Sequence, residues 1–111
     1  MTDTAKTERI RHLNDAFRKT GQGGKIVVTL GIRSLGALSV ARLLEKIRDF
    51  DEFGPDNDPY GEHDFGRIDH EGSRVFWKID YYDRALEYGS DDPADPAITC
   101  RLLTIMLAEE Y

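Results

Sequence analysis

The fold is decided by the stretch from Asp49 to Asp83, which reads DFDEFGPDNDPYGEHDFGRIDHEGSRVFWKIDYYD. Its first sixteen residues, Asp49 to Asp64, hold seven carboxylates and no Lys or Arg, and we call them the acidic loop. The loop is interrupted by Gly54-Pro55, Asp58-Pro59 and Gly61, so neither a helix nor a strand is expected to continue through it. An irregular segment with this much charge is typical of a site that a rigid scaffold holds in place.

The best strand pattern in the chain follows the acidic loop directly. Residues 65–70 and 73–82 predict two strands joined by a turn at His70-Glu71-Gly72. Side chains of a strand point alternately to its two faces, so one face of the second strand is apolar. That face carries Val75, Trp77, Ile79 and Tyr81. We expect the strand to be central in a sheet, with this face packed on helices.

Three helices and one more strand are expected around this hairpin. Helical spacing of apolar residues predicts helices near 8–20 and 39–51. The β-branched run after Lys25 predicts a strand near 25–31. Asp95-Pro96 is a good helix start, and it predicts a last helix near 95–109. The buried stripe of that helix is expected to consist of Ile98, Leu102, Ile105 and Met106.

The order of these elements is α-β-α-β-β-α. It predicts the α+β class, with a small, largely antiparallel sheet of about three strands and helices packed on one face. A chain of 111 residues is the size of a single domain, so residues 1–111 are assigned to one domain with a frayed segment at 1–6. The composition, 40% hydrophobic and 32% charged, is that of a folded protein.

The cellular location is predicted from two absences in the sequence. No apolar run approaches the roughly 18 residues of a membrane span, and MTDTAKTERIR lacks the apolar region of a signal peptide. A single cysteine, Cys100, has no partner within the chain for a disulfide. These features favour a cytoplasmic protein that makes no contact with a membrane.

Charge is distributed unevenly along the chain. Residues 1–48 carry ten Lys or Arg against four Asp or Glu, whereas residues 49–111 carry five against seventeen. This polarity favours oriented electrostatic contacts, either with a basic partner at the acidic half or head to tail in a homo-oligomer. The formal net charge of −6 disfavours direct binding to nucleic acid, although the basic first half leaves a DNA-contacting regulator as an alternative.

Candidate chemistry in the acidic loop is limited. Neither possible EF-hand register, starting at Asp49 or at Asp56, places oxygen ligands at the required positions. A looser metal site from Asp58, Glu62, His63 and Asp64 is conceivable, but turns capped by Asp side chains explain the same residues. His63 beside Glu62 or Asp64 has the composition of an acid–base pair, yet no nucleophile accompanies it. The sequence therefore predicts no metal, no cofactor and no catalytic residue, and a small hydrolase or nuclease-like enzyme remains an alternative.

Four blocks of the sequence resemble a known family. They are DNDPYGEHDFG (Asp56 to Gly66), FWKIDYYD (Phe76 to Asp83), DPADPAIT (Asp92 to Thr99) and LTIMLAEEY (Leu103 to Tyr111). Together with GQGG near the start, they are similar to a DUF3768-like family of small bacterial proteins of unknown function. The resemblance implies no reaction and no catalytic residue. It implies a small protein of the kind carried on plasmids and other mobile elements.

The sequence favours an interaction protein over an enzyme. We expect the acidic loop to bind a basic protein surface, such as that of a nucleic-acid-binding complex, as an inhibitor of the anti-CRISPR or anti-restriction kind. The candidate partner-binding residues are Asp51, Glu52, Asp56, Asp58, Tyr60, Glu62, His63 and Asp64. The competing interpretation is that the Asp residues cap turns around Pro55 and Pro59 and serve stability alone.

Overall fold

A computed structural model describes Thr2 to Tyr111. The helices are α1 (Asp3–Thr20), α2 (Leu30–Arg33) and α3 (Ala37–Arg48), and a 3₁₀ helix spans Ala108–Glu110. The strands are β1 (Gly24–Val28), β2 (Phe65–His70), β3 (Ser73–Tyr82) and β4 (Cys100–Leu107). Among the described residues, no helix has both the length and the apolar character needed to cross a membrane.

The α+β class is confirmed, with four strands in place of about three. The strands lie in the order β1-β4-β3-β2. The pairs β2–β3 and β3–β4 are antiparallel, while β1 pairs with β4 in parallel. The sheet is therefore mixed, and β3 is an inner strand as predicted. The predicted hairpin is confirmed at both of its strands, and Glu71 and Gly72 form its turn with φ of 50° and 86°.

Helix α1 begins earlier than its pattern predicted. It starts at Asp3, after a cap in which the Thr2 hydroxyl accepts a hydrogen bond from the Ala5 amide at 3.1 Å. It ends as predicted at Gly21, which has a φ of 75° and donates its N–H to the Phe17 carbonyl. A glycine is favoured there because L-residues with side chains rarely adopt this left-handed conformation. Of the segment expected to be frayed, Met1 lies outside the described residues.

The predicted helix near 95–109 is wrong, because residues 100–107 form strand β4. The Asp95 carboxylate does accept a hydrogen bond from the Ala97 amide at 2.9 Å, but this cap closes only a turn. Strand β4 lies between β1 and β3 and carries apolar residues on both faces, as Leu102 and Leu103 show, so its apolar residues do not alternate strictly with polar ones. Cys100 consequently begins a strand and does not lie in the first turn of a helix.

The core lies between one face of the sheet and helices α1 and α3. Leu103 pairs with Ile79 and Ile105 pairs with Trp77, so these four side chains share that face. All four are buried, and Trp77 is the largest side chain in the interior. They pack with Phe17, Leu43, Ile47, Phe50 and Val75 in one cluster. The predicted inward face of β3 is therefore confirmed.

The opposite face of the sheet carries no helix of its own. Phe65 and Phe76 lie there, and the Tyr111 ring meets both edge-on, with ring centroids 6.1 and 5.6 Å away. Leu102 pairs with Asp80 on this second face and is only half-buried. The expectation that Leu102 belongs to the main core is wrong, because in a strand it points away from its neighbour Leu103. We call this second surface the open face.

Strand register gives a direct test with two adjacent leucines. Leu103→Ala should lower the free energy of unfolding by about 2–5 kcal/mol, because it empties a filled site. Leu102→Ala should cost clearly less, because the side chain already contacts water. Urea unfolding of both variants measures the difference. A larger loss for Leu102→Ala would contradict the register of β4.

Candidate functional site

The acidic loop has a defined path between α3 and β2. Asn57 holds its first half, because its side-chain oxygen accepts from the Gly54 amide at 2.8 Å and its nitrogen donates to the Glu52 carbonyl at 2.9 Å. The Asp58 amide then donates to the Gly54 carbonyl at 2.8 Å. These bonds fold the loop onto itself without a regular element. Its backbone is therefore ordered by its own side chains.

Asp58 and His63 brace the second half of the loop. The Asp58 side chain is buried and accepts a hydrogen bond from the His63 amide at 3.0 Å. The His63 ring stacks on Phe53, with centroids 3.7 Å apart and planes within 5°. Its Nδ1 lies 2.9 Å from Asp15 of α1, and its Nε2 lies 3.6 Å from Asp58. The imidazole therefore ties the loop to helix α1.

This geometry bears on the alternatives of metal binding and acid–base catalysis. Asp15 and Asp58 face different nitrogens of the His63 ring, so the three groups do not converge on one point. Across residues 2–111, no group of three or more His, Cys, Asp or Glu has an arrangement suited to a metal ion. The sequence had suggested Glu62 or Asp64 as partners of His63, and Asp15 was missed because it lies 48 residues away.

Glu62 belongs to a buried polar network. The Tyr81 hydroxyl donates to the Glu62 carboxylate at 2.7 Å and accepts from the side-chain nitrogen of Asn14 at 2.8 Å. Arg101 in turn donates to the Asn14 oxygen at 2.6 Å. Burial, and next the hydrogen bond to Glu62, raise the pKa of Tyr81 well above its ordinary value. Tyr81 therefore stays a neutral donor that fixes the end of the loop to the sheet.

Arg18 closes the other end of the loop. Its guanidinium is buried, and it donates to the carbonyls of Ile47 and Phe50 at 3.0 and 3.1 Å. It also pairs with Asp15 at 3.0 Å. Neither Asn14 nor Arg18 was predicted from the sequence as part of the site. Their positions could have indicated burial. Asn14 lies one turn after Ile10, and Arg18 lies one turn after Asn14, so both stand on the apolar side of α1.

Between the acidic loop and the open face lies a cleft of about 870 Å³. One part of its lining is aromatic and comprises Phe50, Phe53, Tyr60, Phe65, Phe76 and Tyr111. A second part is acidic and comprises Glu52, Asp56, Asp64 and Asp80. Arg67 and Lys78 also line it, and Lys78 pairs with Asp80 at 3.0 Å. The cleft thus combines ring faces with carboxylates, three of which come from the acidic loop.

Asp64 stands where the loop enters β2, at the edge of this cleft. Its carbonyl accepts from the Ile79 amide at 2.8 Å, which extends the hairpin ladder by one residue. Burial raises the pKa of its carboxyl, and the negative charge of Glu62 raises it further. The ionised form of Asp64 is therefore held at a cost in free energy. A cation in the cleft would reduce that cost.

The structure divides the eight predicted partner-binding residues into two groups. Glu52, Asp56, Tyr60 and Asp64 line the cleft, and Asp51 is exposed beside a neighbouring groove. The other three have structural contacts: Asp58 caps the loop, His63 braces it, and Glu62 accepts from Tyr81. The competing interpretation, in which Asp side chains cap turns, therefore holds for Asp58, and partner binding by the exposed residues stays a prediction.

The fold and the cleft describe a small α+β protein with a candidate binding surface. The chain belongs to the family described as Protein of unknown function (DUF3768), whose model matches residues 28–110. This confirms the resemblance found in the sequence, although GQGG at residues 21–24 precedes the matched range. No curated protein and no solved structure matches the chain.

The raised pKa of Asp64 gives a prediction for the pH dependence of stability. Removing the charge should stabilise the protein at neutral pH, because the folded state disfavours the ionised form. Asp64→Asn should therefore raise the urea midpoint at pH 7. The gain should shrink as pH falls through the folded and then the unfolded pKa of the carboxyl, where the wild-type group is already neutral. An Asp64→Asn variant that is less stable at pH 7 would contradict this assignment.

Proposed function

We propose that this protein is a non-enzymatic binding module that takes a Lys- or Arg-rich segment of a partner protein into the cleft. The observation that carries the proposal is the shared lining of aromatic rings and carboxylates. Long basic side chains suit such a surface, because their aliphatic stems pack on rings while the charged head reaches a carboxylate. The acidic loop would attract the segment over a longer range.

Four carboxylates of the loop support this role, because they remain exposed. They are Asp49, Asp51, Glu52 and Asp56. Like charges this close repel one another, and a stability role would not require them at exposed positions. The internal bonds of Asn57, Asp58 and His63 keep the loop in place despite that repulsion. A preformed surface loses less conformational entropy when a partner binds.

The partner class follows from the chemistry of the cleft. Proteins that handle nucleic acids present dense Lys and Arg surfaces to phosphate groups. A module that occupies such a surface would compete with the nucleic acid and act as an inhibitor. Our proposal therefore includes an inhibitor of the anti-CRISPR or anti-restriction kind, encoded on a mobile element and located in the cytoplasm.

The two alternative functions have less support from the contacts. A hydrolase or nuclease-like enzyme at His63 would need a free imidazole nitrogen, but each ring nitrogen faces a carboxylate. A DNA contact through the basic first half would have fewer cations than the sequence suggests, because two of them are engaged within the fold. Arg18 is buried there, and Arg42 pairs with Glu71 at 2.7 Å.

A charge reversal at Asp56 tests the cleft, with a nine-residue poly-arginine peptide as the probe. Asp56→Lys should weaken peptide binding by about tenfold at low ionic strength, because it places a cation in the proposed site. The effect should fall as salt rises, since exposed charges are screened. Surface plasmon resonance measures both the affinity and the association rate. Asp58 is left unchanged because it is buried.

Asp91→Lys is the matched control for this experiment. Asp91 is exposed and does not line the cleft, so the variant makes the same change in net charge at a different place. It should weaken binding much less than Asp56→Lys, with both variants retaining the wild-type melting temperature. Equal losses in the two variants would show that the peptide responds only to net charge, and the proposed site would be rejected.

A further inference from the structure

Strand β1 forms one edge of the sheet and has a strand on one side only. It pairs with β4, and the order β1-β4-β3-β2 places it at the edge opposite β2. Ile26 and Val27 in its middle are 40% and 42% exposed. Natural edge strands are usually protected by Pro, a bulge or inward-pointing charge. Strand β1 has no Pro, and its apolar residues remain accessible.

The backbone shows which of its groups are unpaired. The Thr29 amide donates to the Ile105 carbonyl of β4 at 3.0 Å. Consecutive residues of a strand direct their N–H and C=O groups to opposite sides, so Val27 also faces β4. The amides and carbonyls of Ile26 and Val28 must then point outward. An added strand would form about four hydrogen bonds with these two residues.

A cavity of about 300 Å³ lies beside the same two residues. It is lined on the sheet side by Ile26 and Val28 and on the helix side by Leu44, Ile47 and Arg48. In peptide recognition by strand addition, the main chain provides hydrogen bonds and pockets beside the edge accept alternate side chains. Strand β1 offers both features at the same residues, because Ile26 and Val28 have outward amides and also line the cavity.

The charges around this edge favour a partner segment of negative charge. Lys25 and Arg48 are exposed, and neither forms an ion pair with a carboxylate within residues 2–111. A second copy of the chain paired through β1 would bring two Lys25 and two Arg48 side chains together. An acidic segment would instead place carboxylates beside these cations, which favours correct pairing.

We propose that β1 receives an extended acidic segment of a partner protein as the fifth strand of the sheet. One apolar side chain of that segment would enter the cavity, and a carboxylate would lie near Arg48. This surface is separate from the cleft, which adjoins the other edge of the sheet. The protein would then have an acidic and a basic binding surface on opposite edges, in agreement with its charge polarity.

The test uses three synthetic peptides. The first has the centre Thr-Val-Ile-Val-Thr with two Glu at each end. The second replaces each Glu by Lys, and the third keeps Glu but carries methyl groups on alternate backbone nitrogens. The amide chemical shifts of the full chain report where each peptide binds. We expect saturable shifts at Ile26 and Val28 with the first peptide, and at least about tenfold weaker binding of the other two.

Two variants test the strand and the charge separately. Ile26→Pro removes an outward N–H, a change that an edge strand tolerates, and it should abolish binding while the melting temperature stays near that of the wild type. Arg48→Glu leaves the backbone unchanged and should weaken binding of the first peptide by about tenfold. This second variant keeps the test decisive if Ile26→Pro does not fold.

Several results would overturn the proposal. Equal binding of the methylated peptide would exclude strand addition, and equal binding of the lysine peptide would exclude the charge preference. Shifts that map away from β1, or no shifts at peptide concentrations up to about 1 mM, would exclude the site. A concentration-dependent dimer that Ile26→Pro converts to a monomer would show that the edge instead binds a second copy.

Discussion

The buried guanidinium of Arg18 is the contact on which the arrangement of the site depends. It donates to the carbonyls of Ile47 and Phe50, where α3 ends and the acidic loop begins. These carbonyls lie at the negative end of the helix dipole, which stabilises a cation there. The same group lies 5.4 Å from the ring centroids of Phe53 and Trp77. One side chain therefore joins α1, α3, the loop and the sheet, and removing it would take a donor from both carbonyls, of which Ile47 keeps the Phe50 amide at 3.3 Å.

This contact explains how an acidic loop stays ordered beside an open sheet. Repulsion among carboxylates alone would favour an extended, solvated loop. The loop is instead held at its start by Arg18 and at its end by His63, which Asp15 fixes to the same helix. Only the exposed carboxylates between these anchors remain available to a partner. The structural role and the proposed binding role therefore fall to different residues of one segment. Asp58 is buried and caps the loop, whereas Asp56, two positions away, is exposed.

The sequence predicted an element correctly where its apolar residues followed one spacing. It failed where they fitted both the helical and the strand spacing. Strand β3 alternates clearly, so its inward face around Trp77 followed from the pattern. Residues 100–107 are apolar on both faces, and such a run fits a helix as well as an inner strand. The capping signal at Asp95-Pro96 then favoured the wrong choice. For the site, the acidic loop was recognised from its charge, but the partners of His63 and the role of Arg18 depend on contacts between distant segments. Periodicity carries no information about such contacts.

Amide hydrogen exchange of the loop tests most directly the claim that Arg18 preorganises it. In the wild type, the amides of Gly54, Asp58 and His63 each donate to an acceptor within the loop. We predict that they exchange slowly, and that Arg18→Met accelerates them selectively while the amides of β3 stay protected. The claim would be contradicted if the loop amides of the wild type exchanged as fast as those of an unstructured peptide. It would also be contradicted if Arg18→Met left their exchange rates unchanged.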